Sequence, residues 1–542
     1  MRLALVLFVA VSAASCLTPT TPCSSSNCAG CCDSNGDCQL GTFATQCGFG
    51  GAACQACTSG VCTSNGTCAV VLSGGGGGSS GGGGGSSGGG TATGGGGGGL
   101  TGGGAATGGG ATNGGGAATG GAGGGGVSDA GVSAFDVSFL DATARVATSI
   151  GIAVNRTTQR VGVAYYSPAG TMTSGFPDYF LKYVEWQQGA IVVSPETIRT
   201  SQRLSTLSVA FDPANGQPLV AHLGGGAGAL MGMSPYWLQS DAVFSRRTGP
   251  NAWTDVIVAT DGNQVTCGNP VSDRGFLVGL FPNIGFDGTG KLYFAYRDSH
   301  DGQFPMQDFA ASDVEVWGGN PLSGECAAAG GNNRNGVGGH LQMTIEASNR
   351  VALAFDQVYA ADQSGQNVLF HVRAPNGMWT MPTTILSVTN TQTGPSLASD
   401  PIEGFGIAVL ERAANELKYI HSSNGTVWSQ PDPVFGAGSG GWYPHLAMDP
   451  VNHEPTITFY VCSTSTSTNE LNCPVGQDEL RVTQRIGGTW RDTLVDLEGG
   501  FSPKLGFFDS GKRVVVYRVP PAVLPDGGVV LNEGALKIAV ER

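Results

Sequence analysis

The chain has 542 residues, of which 91 are glycine, and its 40 acidic against 26 basic side chains give a net charge of −14. That length exceeds one ordinary core, and so much glycine indicates that part of the chain does not pack. Only Arg2, Asp33 and Asp37 carry charge before residue 128. The negative charge therefore lies on the C-terminal region and excludes binding to nucleic acid, whose phosphates it would repel.

Residues 1–15 are predicted to be a signal peptide. Arg2 supplies the positive end, LALVLFVAV the apolar stretch, and small residues precede Cys16. The apolar stretch is too short to span a bilayer. No later run is long and apolar enough to do so, and we expect membrane attachment only at the N-terminus.

Cys16 is the candidate for that attachment. The stretch AASC resembles the bacterial lipobox, with Ala13 where leucine is usual. The resemblance implies that Cys16 is lipid-modified and becomes the new N-terminus of an outer-membrane or cell-surface lipoprotein. The alternative is ordinary cleavage, which would leave a soluble extracellular protein. Cysteine parity favours lipidation, because the other 14 of the 15 cysteines fall into groups of ten, two and two that can all pair.

Residues 16–70 are predicted to form a Cys-rich disulfide module. Ten cysteines lie between Cys23 and Cys68, with almost no apolar residues among them. A stretch this short cannot build a hydrophobic core, and in an oxidising compartment we expect five disulfides of unassigned pairing. The pairs Cys28-x-x-Cys31 and Cys54-x-x-Cys57 leave zinc as the alternative, which export and the absence of histidine disfavour.

Residues 71–127 are predicted to be a disordered linker. Between Gly74 and Gly126, 34 of 53 residues are glycine and none is charged. Such a segment buries too little apolar surface to fold. A Cys-rich module followed by a Gly-rich linker resembles the front of many exported proteins of predatory, gliding soil bacteria. That resemblance implies a surface location and no particular chemistry.

Residues 128–542 contain a motif that recurs seven times: an apolar run, a turn residue, a short polar turn and an alternating apolar run. Successive turn residues lie 49 to 75 positions apart. They are Asn155, Asp212, Asp287, Glu346, Asp400, Asp449 and Asp509. The alternation predicts a β-hairpin in each copy, with the aspartates capping the turn.

A third and a fourth strand follow in each copy, the fourth usually beginning at tryptophan, as at Trp253, Trp379, Trp428 and Trp490. Four antiparallel strands per repeat are typical of propeller blades. We therefore predict an all-β, seven-bladed β-propeller, with six blades as the alternative. The last copy lacks a fourth strand, and Phe135 to Leu140 are predicted to supply it and close the ring.

The long connections fall on one face of the predicted disc, since they follow second or fourth strands. Cys267 and Cys326 are expected in consecutive fourth-to-first connections, and Cys462 and Cys473 within one second-to-third connection. Both pairs are predicted to form disulfides that restrain this face. Aromatic residues on the same face are candidates for stacking on a ligand, with packing of the loops as the alternative. These are Tyr236, Trp237, Phe304, Tyr359, Trp442 and Tyr443.

The repeats resemble the sialidase-like propellers, whose turns carry an Asp-box of the form Ser-x-Asp-x-Gly-x-Thr-Trp. Here the segment from Ser422 to Trp428, SSNGTVW, is one residue short and has asparagine for aspartate. The Arg-Ile-Pro of that family is missing, and no catalytic residue is assigned. No cofactor is expected, although the acidic loop from Asp298 to Gly302 offers carboxylates for calcium against a solvated loop as the alternative.

Two functions fit this sequence. The first is an exported, monomeric recognition module without enzymatic activity, which binds a glycan or a protein. The alternative is a secreted hydrolase or lyase that acts on polysaccharide in the central funnel. The first is favoured because the sequence shows no converging acids and bases.

Overall fold

The structure is a computed structural model of the chain, and it divides into two units, residues 1–121 and residues 122–542. It describes residues 24, 31–32, 34, 38–39, 42–43, 46–47, 52–56, 60–62, 68–70, 134–147, 149–173, 176–202, 205–224, 240–260, 267, 277–299, 312–319, 321–329, 335–359, 365–374, 376–387, 394–412, 414–435, 440–462, 473, 477–519 and 534–542. The predicted signal peptide, Cys16 and the whole of the predicted linker, residues 71–127, lie outside these residues. Within them, no helix is long and apolar enough to cross a membrane.

The first unit contains short strands held by at least one disulfide. Its strands are β1 (Cys31–Cys32), β2 (Cys38–Gln39), β3 (Thr42–Phe43), β4 (Gln46–Cys47), β5 (Ala52–Ala53), β6 (Gly60–Cys62) and β7 (Cys68–Val70). Cys31 and Cys54 are joined, with Cα atoms 4.9 Å apart. Each belongs to one of the two Cys-x-x-Cys pairs, and the zinc alternative is therefore wrong for these two thiols, because oxidised sulfur does not act as a thiolate ligand.

The second unit consists of seven four-stranded antiparallel sheets, and it confirms the seven-bladed propeller over the six-bladed alternative. Blade 1 contains β9 (Ile150–Asn155), β10 (Arg160–Thr173), β11 (Phe176–Gln187) and β12 (Ala190–Gln202); blade 2 contains β13 (Ser208–Phe211), β14 (Pro218–Leu223), β15 (Ala242–Gly249) and β16 (Ala252–Ala259). Blade 3 contains β17 (Leu277–Phe286), β18 (Leu292–Ser299), β19 (Ser312–Gly318) and β20 (Ser323–Ala329); blade 4 contains β21 (Asn335–Ile345), β22 (Val351–Tyr359), β23 (Gly365–Val372) and β24 (Thr383–Leu386).

Blades 5 to 7 repeat this order. Blade 5 contains β25 (Pro395–Asp400), β26 (Gly404–Glu411), β27 (Glu416–Ser422) and β28 (Asp432–Phe435); blade 6 contains β29 (Gly440–Met448), β30 (Pro455–Cys462), β31 (Asp478–Ile486) and β32 (Thr489–Asp496). Blade 7 contains β33 (Phe501–Phe507), β34 (Arg513–Arg518), β35 (Gly534–Glu541) and, as its outermost strand, β8 (Phe135–Val146). The register pairs Phe135 with Glu541 and Phe139 with Lys537, which confirms closure of the ring by the leading segment.

The hydrophobic core is divided among the seven interfaces between neighbouring blades. Separate clusters join blades 1 and 2, 2 and 3, 3 and 4, 4 and 5, 5 and 6, 6 and 7, and 7 and 1. Both faces of each sheet are thus covered by apolar neighbours, and the ring leaves no open seam.

The turns between first and second strands use the predicted chemistry. The Asp287 carboxylate accepts hydrogen bonds from the backbone N–H of Thr289 and of Lys291, both at 2.9 Å. Asp212, Asp400 and Asp449 accept equivalent bonds from the residue two positions on, which confirms the capping role.

Blade 7 departs from this pattern. In this turn the N–H of Phe508 donates to the Lys512 carbonyl at 3.0 Å. The N–H of Asp287 forms the same bond with the Lys291 carbonyl in blade 3. The turn residue of blade 7 is therefore Phe508, and the choice of Asp509 was wrong by one position. Asp509 instead accepts a hydrogen bond from the Thr157 hydroxyl at 3.0 Å, and this bond joins blade 7 to blade 1.

Two disulfides restrain the long connections. Cys267 is bonded to Cys326 and Cys462 to Cys473. Cys326 lies within β20, not in the connection after the fourth strand as expected, because the segment Ser323–Ala329 pairs with β19. The first disulfide therefore ties the connection between blades 2 and 3 to the outermost strand of blade 3.

Candidate functional site

A cavity of about 390 Å³ lies on the propeller axis. The innermost strands of blades 1, 2, 3, 4, 6 and 7 and the residues beside them enclose it. Its polar lining residues are Ser149, Arg156, Thr206, Ser208, Asn283, Gln342, Tyr443, His445, Ser502 and Lys504. This axial cavity is the candidate site, since it is the place where side chains from most blades converge.

One position of each innermost strand organises this cavity. It is the residue four positions before the turn residue, which we call the ring position. The seven ring positions are Gly151, Ser208, Asn283, Gln342, Ser396, His445 and Lys504. All of them except Ser396 line the cavity.

Four ring residues form hydrogen bonds to the next blade. In each case a side-chain acceptor takes the backbone N–H of the residue that follows the next ring position. The pairs are Ser208 Oγ with Ile284 (3.2 Å), Asn283 Oδ1 with Met343 (3.2 Å), Ser396 Oγ with Leu446 (2.9 Å) and His445 Nδ1 with Leu505 (3.1 Å). The ring position is thus primarily structural, since it links innermost strands that are not paired with each other in one sheet.

Lys504 cannot take part in this linkage. An ammonium group has three donors and no acceptor, and it cannot accept an N–H from blade 1. Among the residues that the structure describes, none forms an ion pair or side-chain hydrogen bond with Lys504. Its side chain is half-buried in the cavity wall. Burial lowers the pKa of Lys504 to about 8, because the surrounding disc replaces much of the water that would solvate the cation.

His445, at the ring position of blade 6, supplies a second donor. Because Nδ1 accepts the Leu505 N–H, the neutral ring carries its proton on Nε2. Desolvation first, and the positive charge of Lys504 second, hold the pKa of His445 well below its usual value. The imidazole is therefore neutral near pH 7 and keeps an Nε2–H available at the cavity.

A backbone irregularity places these side chains. Phe281, His340, Tyr443 and Ser502, each two residues before a ring position, have positive φ of 50°, 47°, 54° and 49°. The strand register shifts at the same points in blades 3, 4, 6 and 7. Bulges of this kind change the direction in which the following side chains point. A left-handed backbone conformation is unfavourable for residues other than glycine, and strained residues of this kind are found most often at functional sites.

The aromatic candidates divide into three groups. Tyr443 lines the cavity. Trp442 is fully buried and packs against Tyr460, with ring centroids 5.5 Å apart, so its assignment as a ligand-stacking residue is corrected to the packing alternative. Tyr236, Trp237, Phe304 and the side chain of Tyr359 lie outside the described residues, and their role stays a prediction.

Metal binding finds no support in the described part of the chain, where no three His, Cys, Asp or Glu side chains are grouped to hold an ion. Asp298 is fully buried at the end of β18, and the rest of the acidic loop up to Gly302 lies outside the described residues. The calcium alternative therefore stays a prediction.

Sequence reasoning missed Lys504 and His445. The available signal was the fixed spacing of four residues before each turn residue, together with the tripeptides FPN, YPH and SPK that end at Asn283, His445 and Lys504. In blade 7 this spacing was hidden, because the turn residue had been placed at Asp509.

The chain matches no protein-family model and no curated protein. Among solved structures it is similar to the NanB sialidase from Streptococcus pneumoniae, at 11% identity over 74% of this chain and 70% of that chain, with a TM-score of 0.40. It is also similar to polysaccharide lyase Uly1, at 10% identity over 72% and 89% of the two chains, with a TM-score of 0.43. A third similar structure is an α-L-arabinanase of Penicillium chrysogenum, at 12% identity over 76% of this chain and 96% of that chain, with a TM-score of 0.38. These similarities are too distant to carry an activity.

Proposed function

We propose that the propeller is a recognition module that binds a glycan in its axial cavity. The observation that carries the proposal is the polar lining of the cavity, with Ser, Thr, Asn, Gln, Tyr and His side chains from six blades. Such a lining offers both donors and acceptors to sugar hydroxyl groups, and the Tyr443 ring offers an apolar face.

The size of the cavity favours a glycan over a protein ligand. Its volume of about 390 Å³ lies within the usual range for small-molecule sites. A stable protein interface instead needs roughly 800 Å² of surface on each partner. The cavity suits one or two sugar rings better than a protein surface.

The lining also favours binding over hydrolysis. Glycoside hydrolysis generally uses a pair of carboxyl groups, and none of the residues described as lining the cavity is Asp or Glu.

The alternative is a polysaccharide lyase with Lys504 as the base, since an amine with a pKa of about 8 is partly neutral near pH 7. Formation of unsaturated sugar products from a uronic-acid polysaccharide would favour this alternative.

We further propose that the module is displayed outside the cell, with residues 1–15 as signal peptide, 16–70 as disulfide module, 71–127 as flexible linker and 128–542 as propeller. Three disulfides support an oxidising compartment. Attachment would require a lipid on Cys16. Incorporation of a fatty-acid analogue that disappears in Cys16→Ser would support it, and equal labelling of both chains would exclude it.

The glycan proposal is tested by presenting a panel of immobilised oligosaccharides to the full chain and to two tryptophan variants. Ser149→Trp fills the cavity, because Ser149 lies in its wall. Val427→Trp is the matched control, since Val427 is 73% exposed in a turn of blade 5. We expect binding by the wild type and by Val427→Trp, and loss of binding by Ser149→Trp. Equal binding by both variants would place the ligand elsewhere, and capture of protein ligands without any glycan would refute the proposal.

A further inference from the structure

The ring position of blade 7 holds a residue that the ring does not need. Serine, asparagine and histidine at other ring positions accept an N–H from the next blade. Gly151 offers no side chain, and the Gln342 amide donates to the Leu341 carbonyl of its own strand at 3.1 Å. Among the seven ring positions only Lys504 carries a full charge, and it contributes no bond between blades among the described residues.

An ammonium group at this position lowers the stability of the free protein. Removing a cation from water is unfavourable unless an anion or several acceptors replace the lost solvent. No carboxylate is among the described residues of the cavity wall. The missing partner of Lys504 is therefore best supplied from outside, by a ligand that carries a negative charge.

His445 complements Lys504 in the adjacent blade. Its Nδ1 is held by the Leu505 N–H, and Leu505 directly follows Lys504 in β33. The same backbone contact thus positions both side chains. One offers an ammonium and the other a neutral N–H donor, and both are donors that a carboxylate accepts.

We propose that Lys504 and His445 form a subsite for one carboxylate group of the bound glycan, so that the ligand is an acidic sugar of the uronic-acid type. This inference rests on the proposed function. A single carboxylate is favoured over a polyanion, because the chain carries a net charge of −14 that repels additional negative groups outside the cavity.

The test is a calorimetric titration of the full chain with a disaccharide that bears one uronic acid and with its methyl ester, which differs only in charge. A charge-assisted pair predicts about tenfold tighter binding of the acid. In Lys504→Met this preference should vanish while the affinity for the ester stays the same. In Lys504→Arg it should persist. Lys512→Met is the matched control, because Lys512 is exposed in the turn of the same blade, and it should keep the full preference.

A second variant separates the two donors. His445→Asn copies the arrangement of Asn283, retains an acceptor for the Leu505 N–H and removes the Nε2–H. We expect the preference for the acid to fall severalfold without loss of ester binding.

The remaining outcomes are also decisive. Equal affinity for acid and ester in the wild type would overturn the carboxylate subsite and leave glycan binding intact. Binding of neither disaccharide, nor of any glycan in the panel, would refute the proposed function together with the subsite. A sulfated disaccharide that binds as tightly as the acid would show that the subsite recognises charge and not a carboxylate.

Discussion

At the scale of single residues, Lys504 is the position where the proposed function and the stability of the fold oppose each other. Its folded pKa of about 8 lies below the usual lysine value of 10.5. Between these two values the unfolded chain binds more protons than the folded chain, and stability contributed by this site therefore rises with pH. Below pH 8 Lys504 is charged in both states, and the unfavourable free energy of burying its charge is present in full.

Lys504→Met should accordingly raise the midpoint of thermal unfolding near pH 7, since it removes the desolvated charge and keeps most of the side-chain volume. The gain should shrink as the pH rises from 8 toward 10. Asn283→Ala at the equivalent position should instead lower stability by about 2 kcal/mol, because it leaves the Met343 N–H without its acceptor and removes the amide donor to the Phe281 and Leu341 carbonyls. A loss of stability in Lys504→Met at pH 7 would contradict this account.

The sequence indicates the turn residues more clearly than the ring positions. Asp212, Asp287, Asp400 and Asp449 recur because their carboxylates bond within their own turns, which is a local effect visible in sequence. The ring positions bond to a neighbouring blade roughly 50 to 75 residues away, and Ser, Asn and His can all supply the acceptor. No single residue type marks them, and the spacing points to Lys504 only when the turn residue of blade 7 is placed at Phe508, which the backbone hydrogen bond to Lys512 shows.

At the scale of strands, the recurring tryptophans have an inter-blade role. Trp253, Trp379 and Trp490 each donate an indole N–H to an acidic residue on the outermost strand of the preceding blade, at 3.1 to 3.2 Å. An arginine of the third strand or just after it pairs with the same acid. The resulting clamps are Glu196 with Arg247 and Trp253, Glu325 with Arg373 and Trp379, and Asp432 with Arg485 and Trp490. They join blades 1 and 2, 3 and 4, and 5 and 6.

Arg247→Met tests the clamp between blades 1 and 2. Glu196 is nearly buried, and although desolvation raises its pKa, hydrogen bonds from Arg247, Asn251 and Trp253 hold that pKa below its usual value. Removal of the arginine leaves a buried carboxylate with fewer donors and should lower the free energy of unfolding by about 3 kcal/mol.

The control is Arg542→Met, which breaks the exposed pair with Asp136 at the rim. It should cost less than about 1 kcal/mol in the same urea titration. Equal effects of the two substitutions would show that the clamp does not stabilise the interface.

The alternating runs predicted the hairpins of every blade, whereas the fourth strands were predicted less well. In blades 4 and 5 the fourth strands are only Thr383–Leu386 and Asp432–Phe435, although tryptophan appears four residues before each of them. Contact with the preceding blade positions each indole. The rings of Trp428 and Phe370, for example, have centroids 4.8 Å apart. Such a contact does not require the residues beside the tryptophan to pair as a strand.

At the scale of the whole molecule, stability depends on seven interfaces that form a closed circle. Phe135 is 1% exposed and lies in the cluster between blades 6 and 7, although it comes from the start of the second unit. The hydrogen bonds of the ring positions, the clamps and these clusters all join neighbouring blades. Because the blades form a closed circle, the opening of one interface weakens the others.

Phe135→Ala should therefore lower the free energy of unfolding by about 3 to 5 kcal/mol, as expected for an aromatic side chain removed from a core. Val137→Ala on the same strand is the control, since Val137 is 39% exposed and should cost well under half as much. Urea unfolding of the two variants measures the difference. A small effect of Phe135→Ala would mean that blade 7 is closed without β8.

The pairing of β8 with β35 has a consequence for biosynthesis. Residues 135–146 are synthesised before all other strands of the propeller, and their partner, residues 534–541, is the last propeller strand to follow. Blades 1 to 6 can pair their own strands as they emerge, but the pairing of β8 with β35 waits until residues 534–541 have been synthesised. A polypeptide that ended before residue 534 would keep β8 unpaired and leave apolar sheet faces uncovered, and such exposed surfaces favour aggregation.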